Sequence, residues 1–136
     1  MSDLRKRILY VDDDPDSCDL MCVWLTAGSD SYDVTVASTA NQARKLIAEG
    51  GFDLYLLDYC LPEVSGADLC HTIRQGCDNV PIIVYSALSR PIDRESAWEA
   101  GADLYLVKPD DLDDLKPAIR RLLENGRAVA FVAAPN

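Results

Sequence analysis

Residues 53–58 read DLYLLD, a run of four apolar side chains that ends in a carboxylate. A short apolar run followed by the turn residues Pro62 and Gly66 predicts a strand that is buried on both faces. Comparable runs occur four more times along the chain, at residues 8–11 (ILYV), 33–37 (DVTVA), 80–85 (VPIIVY) and 104–107 (LYLV). Strands of this kind belong to parallel sheets covered by helices, so the sequence predicts an α/β protein.

Residues typical of helix starts and ends lie between the predicted strands. Asp14 and Pro15 are suited to the N-cap and the first turn of a helix that we expect to end near Gly28. Three further helices are predicted, one from a cap at Ser38 or Thr39 to the glycines at 50 and 51, one at residues 67–75 and one at residues 92–100.

Pro117 falls inside the last helical pattern. A proline in a helix interior costs about 3 kcal/mol, whereas one in the first turn costs little because the N–H groups there lack partners. We therefore expect residues 110–115 to form a turn or an irregular segment, and the fifth helix to run from about Lys116 to Gly126.

The chain thus contains five βα units in succession. Right-handed crossovers arrange such units as a doubly wound, five-stranded parallel sheet. The expected strand order is 2-1-3-4-5, the flavodoxin-like (βα)5 architecture. We expect one domain over residues 1–126, followed by a C-terminal tail or linker stub over residues 127–136.

The charge balance excludes several classes of partner. The 136 residues include 23 acids and 13 bases, a formal net charge of −10. Such a field repels nucleic-acid phosphates and anionic membrane surfaces, so we expect neither direct nucleic-acid binding nor membrane insertion. No apolar run approaches the roughly 20 residues of a membrane span, and the polar N-terminus does not resemble a secretory signal. The five cysteines lack the spacing of a metal site or a disulfide framework, which favours a cytoplasmic protein with reduced thiols.

Polar residues follow four of the five strands. Asp12 and Asp13 end the first strand, Asp58 ends the third, Ser86-Ala87 ends the fourth and Lys108-Pro109 ends the fifth. Ligands of an open parallel sheet bind at the carboxyl ends of its strands. The predicted strand order places these four ends side by side, so we expect their side chains to converge on one edge.

Three neighbouring carboxylates repel one another unless a cation lies between them or a pKa rises. Mg²⁺ prefers oxygen ligands, and Mn²⁺ would be an acceptable replacement. Asp14 is better used as a helix cap, which leaves Asp12, Asp13 and Asp58 for the metal. The simpler interpretation of the acidic run is a solvated turn between strand and helix.

Lys108 supplies a second positive charge and Ser86 a hydroxyl donor, although each could equally be an ordinary surface or turn residue. The Lys108-Pro109 pair permits a cis peptide. Together these groups indicate phosphoryl transfer to a carboxylate, with Asp58 as the nucleophile and the cations neutralising the phosphoryl oxygens.

Four ordered motifs make the chain closely resemble the response regulator receiver family of two-component systems. They are ILYVDDDP at residues 8–15, FDLYLLDYCLPEVSG at 52–66, PIIVYSA at 81–87 and GADLYLVKP at 101–109. The resemblance spans about residues 7–124. It implies a protein that receives a phosphoryl group from a sensor histidine kinase or a histidine phosphotransfer protein. It also implies a protein that catalyses only its own phosphorylation and dephosphorylation, rather than an enzyme acting on other substrates.

The resemblance also assigns roles to the residues of the metal centre. Asp12 and Asp13 resemble the acid pair that binds Mg²⁺, and Asp58 resembles the phosphorylated aspartate, which also contacts the metal. Cys60 is expected to offer its backbone carbonyl to the same ion.

Other residues resemble the switch of the family. Ser86 matches the hydroxyl that moves toward the phosphoryl group, with Ala87 beside it, and Lys108 matches the phosphoryl-binding lysine. Tyr105 resembles the aromatic switch, although it could simply be a half-buried strand tyrosine. Trp98 is expected on an output face formed by helix 4, strand 5 and helix 5, where it would contact a downstream protein or a fused output domain.

Two departures affect that output face. Asp110 stands after Lys-Pro, where the family often has an aromatic residue, and Pro117 falls within the fifth helix. Both put dimerisation through the face in doubt. The motifs cover a receiver alone, so the chain is expected to be a stand-alone regulator or the receiver of a larger protein.

Three alternatives are less consistent with the motifs. A haloacid-dehalogenase-type phosphatase has an acid two residues after its nucleophile, where this chain has Cys60. A flavin- or nucleotide-binding protein requires a Gly- or Ser/Thr-rich phosphate loop after strand 1, where this chain has three acids. A pseudo-receiver that binds partners without phosphorylation would normally lack an acid or the lysine.

Overall fold

The computed structural model describes residues 5–27, 32–76 and 79–126. In these residues five strands alternate with five helices: β1 (Arg7–Val11), α1 (Pro15–Thr26), β2 (Asp33–Ala37), α2 (Ala40–Glu49), β3 (Leu54–Leu57), α3 (Gly66–Gly76), β4 (Ile82–Ser86), α4 (Pro91–Glu99), β5 (Leu104–Val107) and α5 (Leu112–Asn125). The strands form one parallel sheet in the order β2-β1-β3-β4-β5, which confirms the predicted fold class and strand order.

The register of the sheet aligns the strand ends that carry polar residues. Val11 of β1 lies between Ala37 of β2 and Leu57 of β3. The backbone N–H of Asp58 donates to the carbonyl of Val11 at 2.9 Å. The N–H of Asp12 donates in the same way to the carbonyl of Ala37 at 3.1 Å, so both pairings of β1 continue past the last strand residue and fix the backbone of Asp12 and Asp58 at the edge.

Apolar side chains cover both faces of the sheet and form two clusters. Alternate residues of β1 enter different clusters: Leu9 and Val11 join the one that includes side chains of α2, α3 and α4, whereas Ile8 and Tyr10 join the one that includes α1 and α5. This alternation follows from the two-residue period of a strand. It explains why the strands read as continuous apolar runs in the sequence.

The predicted N-caps of the first two helices are confirmed. The carboxylate of Asp14 accepts a hydrogen bond from the N–H of Asp16 at 3.3 Å, and the hydroxyl of Thr39 accepts one from Gln42 at 3.1 Å. Gly50 ends α2 with a φ of 73°, a conformation that favours glycine. The expected end of α1 at Gly28 and the expected tail over residues 127–136 lie outside the described residues.

The predicted late start of the fifth helix is wrong. α5 begins at Leu112 and continues through Pro117 to Asn125. Pro117 cannot donate to the carbonyl of Asp113, but both residues are exposed, so water can take the missing bond. Leu115, buried in the first turns, adds apolar contact that offsets the cost of the proline.

None of the helices in the described part of the chain combines the length and the apolarity that a membrane crossing requires.

Candidate functional site

Three carboxylates meet where β1 and β3 end. Asp12, Asp13 and Asp58 each offer an oxygen within 4.8 Å of the others. Asp12 is 1% exposed and Asp58 8% exposed, whereas Asp13 is exposed to solvent. The structure thus brings together the three side chains that the sequence predicted to converge.

Asp12 is held by three donors. Its Oδ2 accepts from the hydroxyl of Tyr10 at 2.6 Å and from Nζ of Lys108 at 2.7 Å, and its Oδ1 accepts from the N–H of Asp14 at 3.0 Å. Burial by itself would raise the pKa of Asp12, but these hydrogen bonds and the charge of Lys108 hold that pKa below its ordinary value. Asp12 is therefore a stable anion in a buried position.

Asp58 has weaker support. Lys108 Nζ lies 3.5 Å from its Oδ2, and the N–H of Cys60 donates to its Oδ1 at 3.2 Å. Burial raises the pKa of Asp58, and the charge of Lys108 only partly opposes the rise. For Lys108 burial would lower the pKa, yet its bonds to Asp12 and its proximity to Asp58 keep that pKa above the ordinary value. The lysine therefore stays charged between the two carboxylates.

The donor set fits a divalent cation with a preference for oxygen. Carboxylate oxygens are the ligands that Mg²⁺ takes in proteins, and the three acids stand closer together than like charges tolerate without a counter-charge. Lys108 supplies part of that counter-charge but reaches only two of the acids. Asp13, which faces solvent, is open to an incoming ion.

Ser86 ends β4 with its side chain fully buried, and Ala87 follows it as an exposed residue. The carbonyl of Ser86 accepts from the backbone N–H of Lys108 at 2.8 Å, which fixes the lysine beside the end of β4. The hydroxyl of Ser86 accepts from the N–H of Leu88 at 3.2 Å. The peptide bond between Lys108 and Pro109 is cis.

Tyr105 lies on β5 and packs in the apolar cluster that includes side chains of α4. Its ring is buried, and its hydroxyl donates to the carbonyl of Leu88 at 2.7 Å. Leu88 thus has one backbone bond to the Ser86 hydroxyl and another to Tyr105. This short chain of contacts joins the edge that carries Asp58 to the side of the sheet covered by α4.

Trp98 projects from α4 and is 37% exposed. It does not belong to the carboxylate site but lines a groove between α4, β5 and α5. The structure therefore separates the predicted site residues into the edge that carries Asp12, Asp13 and Asp58 and the groove that Trp98 and Tyr105 line.

Tyr10 is the site residue that sequence reasoning missed. Its side chain is completely buried, so its place in the apolar run at residues 8–11 suggested only a core position. The available signal was its spacing, because residues two apart on a strand project from the same face and Tyr10 precedes Asp12 by two. A buried tyrosine hydroxyl needs a partner, and the carboxylate of Asp12 provides it.

Known proteins resemble the chain over most of its length. The DNA-binding response regulator MtrA of Mycolicibacterium smegmatis is 34% identical over 123 residues, which are 90% of this chain and 53% of MtrA. The DNA-binding dual master transcriptional regulator RpaA of Synechocystis is 34% identical over 86% of the chain and 48% of its own length. The chain thus spans about half the length of these curated relatives.

Solved structures agree with this result. The response regulator protein TrrA of Thermotoga maritima, crystallised in complex with Mg²⁺ and BeF, has 33% identity and a TM-score of 0.77 over 86% of this chain and 98% of its own. A two-component response regulator from Clostridium difficile has 26% identity and a TM-score of 0.82 over 89% and 98% of the two chains. The family model of the response regulator receiver domain matches residues 8–120. The chain belongs to the response regulator receiver domain family.

Proposed function

We propose that the chain is the phosphate-accepting receiver of a two-component or phosphorelay system, with Asp58 as the phosphoacceptor. The observation that carries the proposal is the position of Asp58. It is a buried carboxylate at the edge of the sheet, beside Asp12, Asp13 and the charged end of Lys108. Phosphoryl transfer to a carboxylate requires this combination of a nucleophile and neutralising groups.

Asp58 is the better nucleophile of the two buried acids. The carboxylate oxygens of Asp12 already accept hydrogen bonds from Tyr10, Lys108 and the backbone N–H of Asp14. Asp58 receives a backbone hydrogen bond from Cys60, a looser contact with Lys108, and a hydrogen-bonding contribution from the Ser86 side chain, which together do not offset its burial. In the proposed step an Asp58 oxygen forms a bond to phosphorus while the bond from phosphorus to the donor imidazole breaks. No general base is needed, since a carboxylate is already deprotonated at neutral pH.

Asp12, Asp13, Asp58 and the backbone carbonyl of Cys60 are the groups that would hold Mg²⁺, or Mn²⁺ in its place. The ion would neutralise charge on the phosphoryl oxygens. The chain's own residues prepare this site by keeping Asp12 ionised and by leaving Asp13 open to solvent.

Lys108 supplies the remaining positive charge. Its Nζ lies between Asp12 and Asp58, so a small movement brings it from one to the other. A phosphoryl group adds roughly −1.5 to −2 charge, which favours that movement. Ser86, with Ala87 beside it, offers a hydroxyl whose O–H would donate to a phosphoryl oxygen, while its oxygen accepts from the N–H of Leu88.

The donor would be a sensor histidine kinase or a histidine phosphotransfer protein, and the protein would act in the cytoplasm. Phosphorylation would change the face formed by α4, β5 and α5, which carries Trp98. The readers of that change would be a downstream protein or a fused output domain. The DNA-binding relatives, of which the chain spans about half, support the second arrangement. Catalysis would be limited to the protein's own phosphorylation and dephosphorylation.

The proposal is tested by incubation with acetyl phosphate and Mg²⁺ followed by intact mass measurement. We expect one phosphoryl adduct on the unaltered protein, none on Asp58→Asn and none in excess EDTA. Asp19→Asn is the matched control, because Asp19 is an exposed acid on α1 whose loss should leave the adduct intact. An adduct that survives Asp58→Asn, or that forms equally well in EDTA, would show that the phosphoacceptor or the metal requirement is misassigned.

A further inference from the structure

A groove of about 790 Å³ lies between α4, β5 and α5. Its apolar lining comes from Pro91, Trp98, Leu104, Tyr105 and Leu106. Trp98 is 37% exposed and Leu104 is half-buried, so the apolar surface is accessible from solvent. Accessible apolar surface inside a concave lining is typical of a surface that receives a side chain from a partner protein.

The rim of this groove is acidic. Among the described residues that line it, four carry a carboxylate, namely Glu95, Glu99, Asp111 and Asp114, and one is basic, Arg94. The guanidinium of Arg94 lies over the ring of Tyr105, with 5.7 Å between its Cζ and the ring centroid. The nearby Arg90 is paired with Asp93 at 2.9 Å. The rim therefore presents excess negative charge around an apolar floor.

We propose that this groove binds a cationic, amphipathic segment of a partner protein, with lysine or arginine on one side and large apolar side chains on the other. The apolar side chains would contact Trp98 and Leu104, and the cations would meet the carboxylates of the rim. This inference names the partner class of the proposed output face and so rests in part on the proposed function. Opposite charge at an interface gives specificity and a faster encounter.

The acidic rim also disfavours a second copy of the chain as the occupant of the groove. A two-fold interface places one patch against itself, so every group on the patch must find its complement on that patch. Here four acids would meet four acids, with one arginine from each copy to compensate. Like charges brought together in this way oppose association.

The groove also has a physical connection to the phosphorylation edge. Tyr105 lines the groove and donates to the carbonyl of Leu88, whose N–H donates to the hydroxyl of Ser86. Movement of the Ser86 hydroxyl toward a phosphoryl group would alter the bond from Leu88. The lining of the groove is therefore two hydrogen bonds away from the reactive edge.

The test measures binding of a fluorescent 16-residue peptide that alternates Lys and Leu with helical spacing. Its comparison peptide has Glu in place of Lys. Both are titrated with the full chain by fluorescence anisotropy, with and without beryllofluoride and Mg²⁺. We expect the Lys peptide to bind at least about tenfold more tightly than the Glu peptide in one or both states, with an affinity that falls as salt is added.

Two double variants that each remove two negative charges distinguish binding at the groove from general attraction to the acidic protein. Glu95→Gln combined with Glu99→Gln should weaken binding of the Lys peptide about tenfold, and Trp98→Ala should weaken it similarly. Glu49→Gln combined with Glu124→Gln removes the same charge from exposed positions outside the groove and should change the affinity less than about twofold. Equal losses in the two double variants would overturn the proposal.

Light scattering after gel filtration decides between a partner and a second copy. A monomer in the presence of beryllofluoride and Mg²⁺ supports the proposal, whereas a dimer that the Glu95→Gln and Glu99→Gln changes strengthen would overturn it. Mass measurement of phosphorylation on the same samples keeps the two proposals apart. Peptide binding without phosphorylation refutes only the proposed function, and phosphorylation without binding at the groove refutes only the present inference.

Discussion

Asp12 and Asp58 end neighbouring strands, yet their surroundings give them opposite properties. Three hydrogen bonds hold the pKa of Asp12 below its ordinary value, while burial raises the pKa of Asp58. Lys108 contacts both, at 2.7 Å and 3.5 Å respectively, and so favours Asp12. Asp58, whose ionised form is less well stabilised, is the carboxylate proposed to react. This is expected because functional sites often retain groups that lower the stability of the fold.

Asp58→Asn should therefore stabilise the folded protein at pH 7 by on the order of 1 kcal/mol in metal-free buffer. Folding raises the pKa of Asp58 above its ordinary 3.8, so the ionised side chain opposes folding at pH 7. Asparagine removes this cost, and Lys108 keeps its bond to Asp12. The gain should shrink as the pH falls toward 3.8 and disappear well below it, where aspartic acid is neutral in both states. Urea unfolding across this pH range measures the effect.

Asp19→Asn serves as the control for this measurement, because its exposed side chain should change the free energy of unfolding by less than about 0.5 kcal/mol. Added Mg²⁺ should reverse the order of stability, since the ion would bind the unaltered site more tightly than the variant. A destabilised Asp58→Asn protein in EDTA would contradict the prediction.

Most of the site could be predicted because the fold places strand ends together. Asp12, Asp58, Ser86 and Lys108 each follow an apolar run directly, so the strand order alone brings them to one edge. Tyr10 could not be found in this way. Its position in an apolar run satisfies the core pattern, and its hydrogen bond to Asp12 emerges only from the side-chain direction on β1.

At the scale of elements, α5 shows tertiary packing overriding a local signal. Its three buried residues, Leu115, Ile119 and Leu122, form one stripe that covers the sheet, while Pro117 lies on the exposed side. The rule for interior prolines predicted a start near Lys116, but it counts only the backbone cost. Packing of Leu115 required the helix to begin earlier, and the local sequence did not show that contact.

Pro117→Ala should stabilise the protein by roughly 2 kcal/mol. Alanine restores an N–H that can donate to the carbonyl of Asp113, which recovers most of the cost of an interior proline of about 3 kcal/mol. Part of the gain is offset because proline also restricts the unfolded chain, by about 0.4–1 kcal/mol. Urea unfolding followed by far-UV circular dichroism measures the difference. Glu124→Ala, at another exposed position of α5, should change stability far less, and equal stability of Pro117→Ala and the unaltered protein would contradict the prediction.

The start of β4 shows why element boundaries depend on distant residues. The run at residues 80–85 predicted a strand from Val80, but β4 begins at Ile82. The carbonyl of Val80 accepts from Arg74 at 2.6 Å, and the N–H of Ile82 donates to the carboxylate of Asp103 at 2.8 Å. Asp103 is 21 residues from Ile82 in the sequence, so no local window could predict the bond.

For the whole molecule, the edge proposed to accept a phosphoryl group is separate from the surface proposed to report on it. The edge carries Asp58, and the groove that includes Trp98 lies against α4, β5 and α5. The hydrogen bonds from Tyr105 to Leu88 and from Leu88 to Ser86 connect the two regions. We therefore expect a group that binds the Ser86 hydroxyl to shift α4, provided that it binds the shifted arrangement more tightly.

The two tryptophans provide a test of this connection. Trp98 lines the groove on α4, whereas Trp24 on α1 packs with the cluster on the other side of the sheet and has Nζ of Lys116 4.5 Å from its ring centroid. Beryllofluoride with Mg²⁺ should change the emission of Trp98, because its exposed ring senses any shift of α4, and should change that of Trp24 much less. Trp98→Phe should therefore abolish most of the signal and Trp24→Phe should retain it. Since each variant leaves one tryptophan and keeps Asp58, the comparison assigns the signal to one side of the sheet. A signal that persists without Trp98 and disappears without Trp24 would place the response on the α1 side and contradict the proposed output face.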